Sequence, residues 1–179
     1  MVGRLIGTVI GGFFLAVIAS SIGAVIAKQR MVSVGGPTDD EVALVGILEP
    51  VVLESTATAF RGGSVLAWMG GVDLDLRRAT LAPEGATVAA RAIFGGGRVI
   101  VPADWDVDIR MIGILGGVGD ARPRQDRPAG APRLVLEGFA LLGGFGIVSE
   151  KAEEGRIADP VPEAAPVKEL VATAKNGRA

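Results

Sequence analysis

The chain contains no cysteine, no histidine and no tyrosine. Without cysteine there are no disulfides and no thiolate chemistry. Without histidine as well, thiolate and imidazole metal sites and the imidazole general base are excluded. Aromatic residues are only 4% of the chain, too few for a base-stacking platform, and a net charge of −2 leaves no electrostatic footprint for nucleic acid. The Gly-x-Ser-x-Gly elbow, the phosphate loop and the HExxH metal motif are missing too. The reading is a non-enzymatic protein with no cofactor and no metal.

Among the acids, Asp73, Asp75, Asp104, Asp106, Asp108 and Asp120 invite a chemical role. Asp-x-Asp on a strand sets two carboxylates on one face, but calcium needs about six to eight oxygens and no loop supplies them in a matching pattern. A solvated polar face is the simpler reading.

What is present begins with an uncharged run, Leu5 to Ala27. As a helix it reaches ~34 Å, enough for a hydrocarbon core of ~30 Å, and it is longer than the ~7–15 apolar residues of a cleaved signal. Residues 1–30 are therefore expected to be a single transmembrane anchor, with the bilayer as its first partner. Gly3, Gly7, Gly11, Ala19, Gly23 and Ala27 recur every fourth position in two runs, a flat stripe suited to helix–helix packing. Arg4 on one side and Lys28 and Arg30 on the other leave orientation nearly balanced; the lean is to a cytoplasmic C-terminal domain in the cell membrane.

Residues 31–41 read as a linker, with Gly35-Gly36-Pro37 as its turn. Thr38 and Glu41 have capping-box spacing, yet Pro50 and the β-branched residues of Val42 to Leu53 favour strands over a helix.

The strongest pattern is a repeated step of two apolar residues and a glycine doublet. It reads WMGG at 68–71, IFGG at 93–96, ILGG at 114–117 and LLGG at 141–144, with ILEP at 47–50 as an atypical first copy. Such a recurrence marks stacked repeats. Gly70, Gly71, Gly95, Gly96, Gly116, Gly117, Gly143 and Gly144 are expected to form the corners. Ahead of each doublet, alternate rows line up. Leu48, Met69, Phe94, Leu115 and Leu142 form one, and Gly46, Ala67, Ala92, Gly113 and Ala140 another. Residues two apart on a strand share a face, so these rows are expected to point inward. After the doublet, Val72, Leu74 and Leu76 continue the inward pattern. The fold expected for residues 42–149 is all-β, a single-chain right-handed β-solenoid or β-helix-like stack of about five rungs.

The opposite face should be polar but is not. Ile47, Trp68, Ile93, Ile114 and Leu141 form the row nearest the doublet. Val45, Leu66, Arg91, Ile112 and Phe139 form the next, so Arg91 is the one polar residue in both. An apolar face of this extent marks an interface or is covered by the chain itself. The Trp68 row is the candidate interaction surface, for a protein partner or a second copy of the chain. Residues 119–132, with Arg122, Arg124 and Arg127, read as an exposed insertion; residues 150–179, rich in charge, proline and alanine, read as a disordered tail.

Three motifs occur in order: Phe-x-Gly-Gly at Phe60 to Gly63, Gly-Gly-Val-x-Leu-Asp-Leu at Gly70 to Leu76, and a Gly-Gly strand ending in Val-Pro-x-Asp over Gly95 to Asp104. Residues 42–148 thereby resemble the C-terminal domain of the LiaF-like family, the cell wall-active antibiotics response proteins. The resemblance implies a β-solenoid-like domain on a membrane anchor. It also implies a regulatory role in cell-envelope stress, exerted by protein contact, with a membrane sensor kinase as the kind of partner. The alternative from the stacking alone is a self-assembling membrane-associated scaffold resembling bactofilins.

Overall fold

The computed structural model describes residues 2–123 and 130–149. The tail expected at 150–179, and Arg124 and Arg127 of the insertion, lie outside them. One apolar helix, α1 (Val2–Lys28), precedes ten strands. The helix has no proline or charge over its apolar run, and it ends where Arg30 and Met31 donate their N–H groups to the Ala27 carbonyl. Its stretch Ile6–Lys28, mean hydropathy 2.4, is long and apolar enough to cross a membrane.

Each repeat supplies a longer strand before the doublet and a shorter one after it. In chain order the pairs are β1 (Glu41–Ile47) and β2 (Pro50–Glu54), β3 (Gly62–Trp68) and β4 (Gly71–Asp75), and β5 (Ala86–Ile93) and β6 (Gly96–Ile100). They continue with β7 (Asp106–Ile114) and β8 (Gly117–Asp120), and β9 (Arg133–Leu141) and β10 (Gly144–Val148). The longer strands form one parallel sheet and the shorter strands a second, so the chain is mostly β, in two five-stranded sheets. The strands expected between Val42 and Leu53 are present, and no helix starts at Thr38.

Spatial order departs from chain order. The sheets run β1-β3-β5-β9-β7 and β2-β4-β6-β10-β8, so the fifth repeat lies between the third and the fourth. β9 pairs with β5 on one side (Val88 beside Leu136) and with β7 on the other (Ile109 beside Leu136). The reading of 119–132 as an exposed insertion is corrected at its start: Gly119 and Asp120 belong to β8, and Arg122 is buried.

The core lies between the sheets. Leu44, Val65, Ala67, Val88, Ala90, Leu136 and Ala140 face Val72, Leu74, Val99, Phe145 and Ile147. The small row does admit the opposite wall: a methyl on Gly46 would meet Val72 Cγ2 at 3.0 Å. Full burial of side chains such as Leu74, Leu136 and Ile147 stabilises the fold by about 1.5–3 kcal/mol each.

The outer edge of β1 is occupied by the linker. Val34 and Ala43 form an antiparallel bridge through bonds of 2.7 and 2.8 Å, and the Val45 N–H donates to Ser33 Oγ at 2.9 Å.

Candidate interaction surface

The corner of each repeat has an unexpected owner. Leu48, Met69, Phe94, Leu115 and Leu142 sit at φ 59°, 49°, 52°, 51° and 52°, in the left-handed region. The doublet glycines that follow are not in that region. These five residues do form a column, in the order Leu48, Met69, Phe94, Leu142, Leu115. Leu48 N–H donates to the Trp68 carbonyl, Met69 to Ile93, Phe94 to Leu141 and Leu142 to Ile114. They are not an inward row, because positive φ at that point has already turned the chain out of the strand. Leu48 and Leu115 are exposed, Leu115 at 79%, and the other three are half-buried.

The doublet glycines serve a second purpose. A methyl on Gly70, Gly95, Gly143 or Gly116 would collide with backbone atoms of the adjoining repeat. From the second repeat on, the corners can stack at strand spacing because the residue after each left-handed one is a glycine; Glu49 takes that place in the first repeat, at the end of the stack. Gly96 and Gly144 are blocked in the same way, by the carbonyls of Gly144 and Gly117. Gly71 and Gly117 are open.

On the outward face of the longer-strand sheet, register aligns Ile47, Trp68, Ile93, Leu141 and Ile114 beside the corner. Val45, Leu66, Arg91, Phe139 and Ile112 form the next row. Beyond them come Ala43, Ser64, Ala89, Glu137 and Arg110, then Glu41, Gly62, Thr87, Val135 and Asp108. Apart from Arg91, every charge on this face lies in these rows farther from the corner or in the row beyond them, where Asp106 stands beside Arg133.

The candidate row is not uniformly free. Its β1 end is covered by α1, so Ile47 is buried to 2% exposure. Trp68 Nε1–H donates to Ser20 Oγ at 2.9 Å, and the Ser21 hydroxyl, bonded to the Val17 carbonyl at 2.8 Å, lies 3.5 Å from Met69 Sδ. Lys28 Nζ pairs with Glu49 at 2.8 Å, an exposed pair worth well under about 1 kcal/mol. The reading of Ile47 and Trp68 as open contact residues is corrected accordingly. Toward the β7 end the surface opens: Ile112 is 67% exposed and Ile114 49%. Ile93 and Leu141 between them are half-buried.

The small-residue stripe divides at the same place. Gly23 faces the Trp68 ring, where a methyl would come within 3.1 Å of Cη2, and Ala27 is half-buried. Gly7 and Gly11 face open space and Ala19 is exposed. The C-terminal part of the stripe packs on the chain's own β domain rather than on a second helix.

Four of the six candidate acids, Asp73, Asp75, Asp108 and Asp120, are engaged by arginines. Asp73 pairs with Arg98 at 2.6 Å, Asp75 with Arg77 at 2.7 Å, Asp108 with Arg110 and Arg133 at 2.7 and 2.9 Å, and Asp120 with Arg122 at 2.7 Å. Burial pushes the Asp75 carboxyl up, but the side-chain and backbone bonds from Arg77 and the charges of Arg77 and Arg78 outweigh it and hold it below its ordinary value. The bonds from Arg110 and Arg133 lower Asp108 in the same way. Three of these pairs follow an Asp-x-Arg pattern (75–77, 108–110, 120–122), a signal legible in the sequence once two residues are known to share a face. No group of three potential metal-ligating side chains occurs among the described residues. Among the described residues the surface offers hydrophobic contact and paired charge.

No protein-family model, no characterised protein and no solved structure matches the chain.

Proposed function

We propose that the chain is a single-pass membrane protein whose β domain works by contact and not by catalysis. In this reading the ten strands form a right-handed solenoid-like stack presented on the cytoplasmic side of the cell membrane. The role is the one the LiaF-like resemblance implies: an accessory or regulator of cell-envelope stress signalling, acting on a membrane sensor kinase. One observation carries it, the seat of α1. An apolar helix of spanning length is bonded to the β domain through Ser20 and Trp68, and the domain's remaining apolar surface adjoins that seat.

The test is deletion and complementation with an envelope-stress reporter in the host cell. Loss of the protein should change the reporter's response to wall-active antibiotics. The full chain should restore it, and the β domain without α1 should not. A reporter indifferent to deletion refutes the regulatory role. A cysteine placed in the tail of this cysteine-free chain, probed with an impermeant thiol reagent, reads sidedness.

A second reading, a bactofilin-like scaffold, is favoured by one feature: the outer edges of β7 and β8 pair with no strand among the described residues. Filaments in sedimentation of the detergent-solubilised full chain would support it, and monomers or dimers the regulator.

A further inference from the structure

We propose that the column of left-handed corners, Leu48, Met69, Phe94, Leu142 and Leu115, is seated in bilayer lipid. The domain then lies against the membrane, one corner immersed, and does not stand off on a stalk. The inference rests on the reading of α1 as a membrane span.

The first argument is length. The helix side chains that touch the β domain begin at Val17 and recur at Ser20, Ser21, Gly23, Ala24 and Ala27, one face of the helix. From Ile6 to Ala16 every side chain is exposed. Those eleven residues cover ~16 Å, about half of a ~30 Å hydrocarbon core. A span completed toward Lys28 takes residues 17–27 into the membrane, and with them whatever is bonded to them. With Ile6 at the far boundary, Ser20 lies ~21 Å along the helix and Lys28 ~33 Å along it. Trp68 and Met69 then sit ~9 Å inside the near boundary, with the indole N–H satisfied by Ser20, and Lys28 and Glu49 reach the headgroups.

The second argument is the choice of residue. All five corners have positive φ, where glycine is the low-strain residue and an L side chain is strained. Leucine, methionine or phenylalanine occupies every one, and at all but Leu48 a glycine follows it. Strain repeated five times at exposed or half-exposed apolar positions points to a use for those side chains outside the core.

The third is the polarity gradient. The outward face is apolar beside the corner and charged away from it, as a surface entering a bilayer edge-on must be. Arg91, the exception, is exposed, and its long stem lets the guanidinium reach headgroups.

The test uses single cysteines in the otherwise cysteine-free full chain, nitroxide-labelled and reconstituted in phosphatidylcholine–phosphatidylglycerol vesicles. Collision with oxygen and with a water-soluble nickel chelate is read by power-saturation spectroscopy. Leu115→Cys and Ile112→Cys should show oxygen accessibility severalfold above nickel. Glu137→Cys, five residues before the corner residue Leu142 and so ~17 Å away along β9, should show the reverse. Ile10→Cys reports the span itself. A lipid signature at Ile10 with a water signature at Leu115 overturns this inference and leaves the span standing; a water signature at Ile10 removes the span. Low accessibility to both reagents at Leu115 assigns the corner to protein, a second copy if it varies with the protein-to-lipid ratio, and overturns the inference as well.

Discussion

Replacing Gly143 by alanine tests the stacking directly. Gly143 lies in the glycine column Gly70, Gly95, Gly143, Gly116, and a methyl there would overlap the carbonyl oxygen, carbon and nitrogen of Gly95. No side chain is available to yield, so the backbone of one repeat must move away from the next. Two bonds cross that spot, Gly144 N–H to the Gly95 carbonyl at 3.2 Å and Phe94 N–H to the Leu141 carbonyl at 2.9 Å. Weakening both loses about 2 kcal/mol, and overpacking adds about 1–3 kcal/mol, so the expected cost is roughly 3–5 kcal/mol. For a domain of about 100 residues that lowers Tm by roughly 12–20 °C. The control is Gly117→Ala, the second glycine of another doublet, where an added methyl meets nothing within 4 Å and φ is not positive. Alanine there restricts the unfolded chain and should be neutral or stabilising by up to about 1 kcal/mol. Thermal melts of the detergent-solubilised full chain by circular dichroism give both values. Equal melting temperatures for the two variants would refute the account of the doublets as a stacking requirement.

Other consequences follow from the charged pairs and the corners. Arg122 is 6% exposed and bonds both Asp120 and the Trp105 carbonyl, at 3.0 Å for the latter, whereas Asp120 is partly open to water. Asp120→Ala, which strands a buried guanidinium, should therefore cost more in denaturant melts than Arg122→Met, by about 1 kcal/mol or more; equal costs would contradict the asymmetry. Asp75 has its folded-state pKa lowered, so its stabilisation is complete above the unfolded value of about 3.9 and is lost as pH falls through the lower folded value. Arg77 does not titrate in this range. Asp75→Asn should flatten the acid limb of a pH–stability profile, and parallel limbs for variant and parent would show the pair contributes nothing. Leu115→Gly should leave stability unchanged or raise it by up to about 1 kcal/mol, since relief of left-handed strain exceeds the chain entropy that glycine adds. A loss above that size would place Leu115 in the core.

The sequence carried much of this fold in its spacing. Alternation ahead of each doublet located β1, β3, β5, β7 and β9, and Gly46, Ala67, Ala92 and Ala140 are buried as alternation requires, while Gly113 on the edge strand β7 is exposed. The row of Leu48 and Leu115 was misplaced because a large apolar residue in the left-handed region looks, by period, like one more inward strand position. The order β5-β9-β7 was not legible, since a repeat specifies what a segment is and not which segment it pairs with. The only sign was the long arginine-bearing interval before the last doublet. Cover of Ile47 by α1 was also hidden: composition marks an apolar run as a span and does not record that Ser20 and Gly23 also fit a tryptophan on the following domain.

The two ends of the stack bear on whether this protein grows or stops. At the β1 end the linker occupies the edge through Val34 and Ser33, and the next strand along opens with Pro50, which has no N–H to offer. A second molecule would have to displace the linker, and the linker is continuous with α1, so displacement would also strain the Trp68–Ser20 seat. At the other end Asp120 stands in the register of Leu53, Leu74, Val99 and Ile147, a core row. There the row ends in a carboxylate held by Arg122 and, through it, by Trp105. Extending the stack would bury that ion pair, at a desolvation cost of several kcal/mol per ion unless the incoming repeat satisfied it. One end is closed by backbone and the other by charge, so end-to-end polymerisation is opposed at both. Sideways contact along the apolar corner, beside the helix, is left as the open surface, which is where a membrane-bound regulator would meet its surroundings.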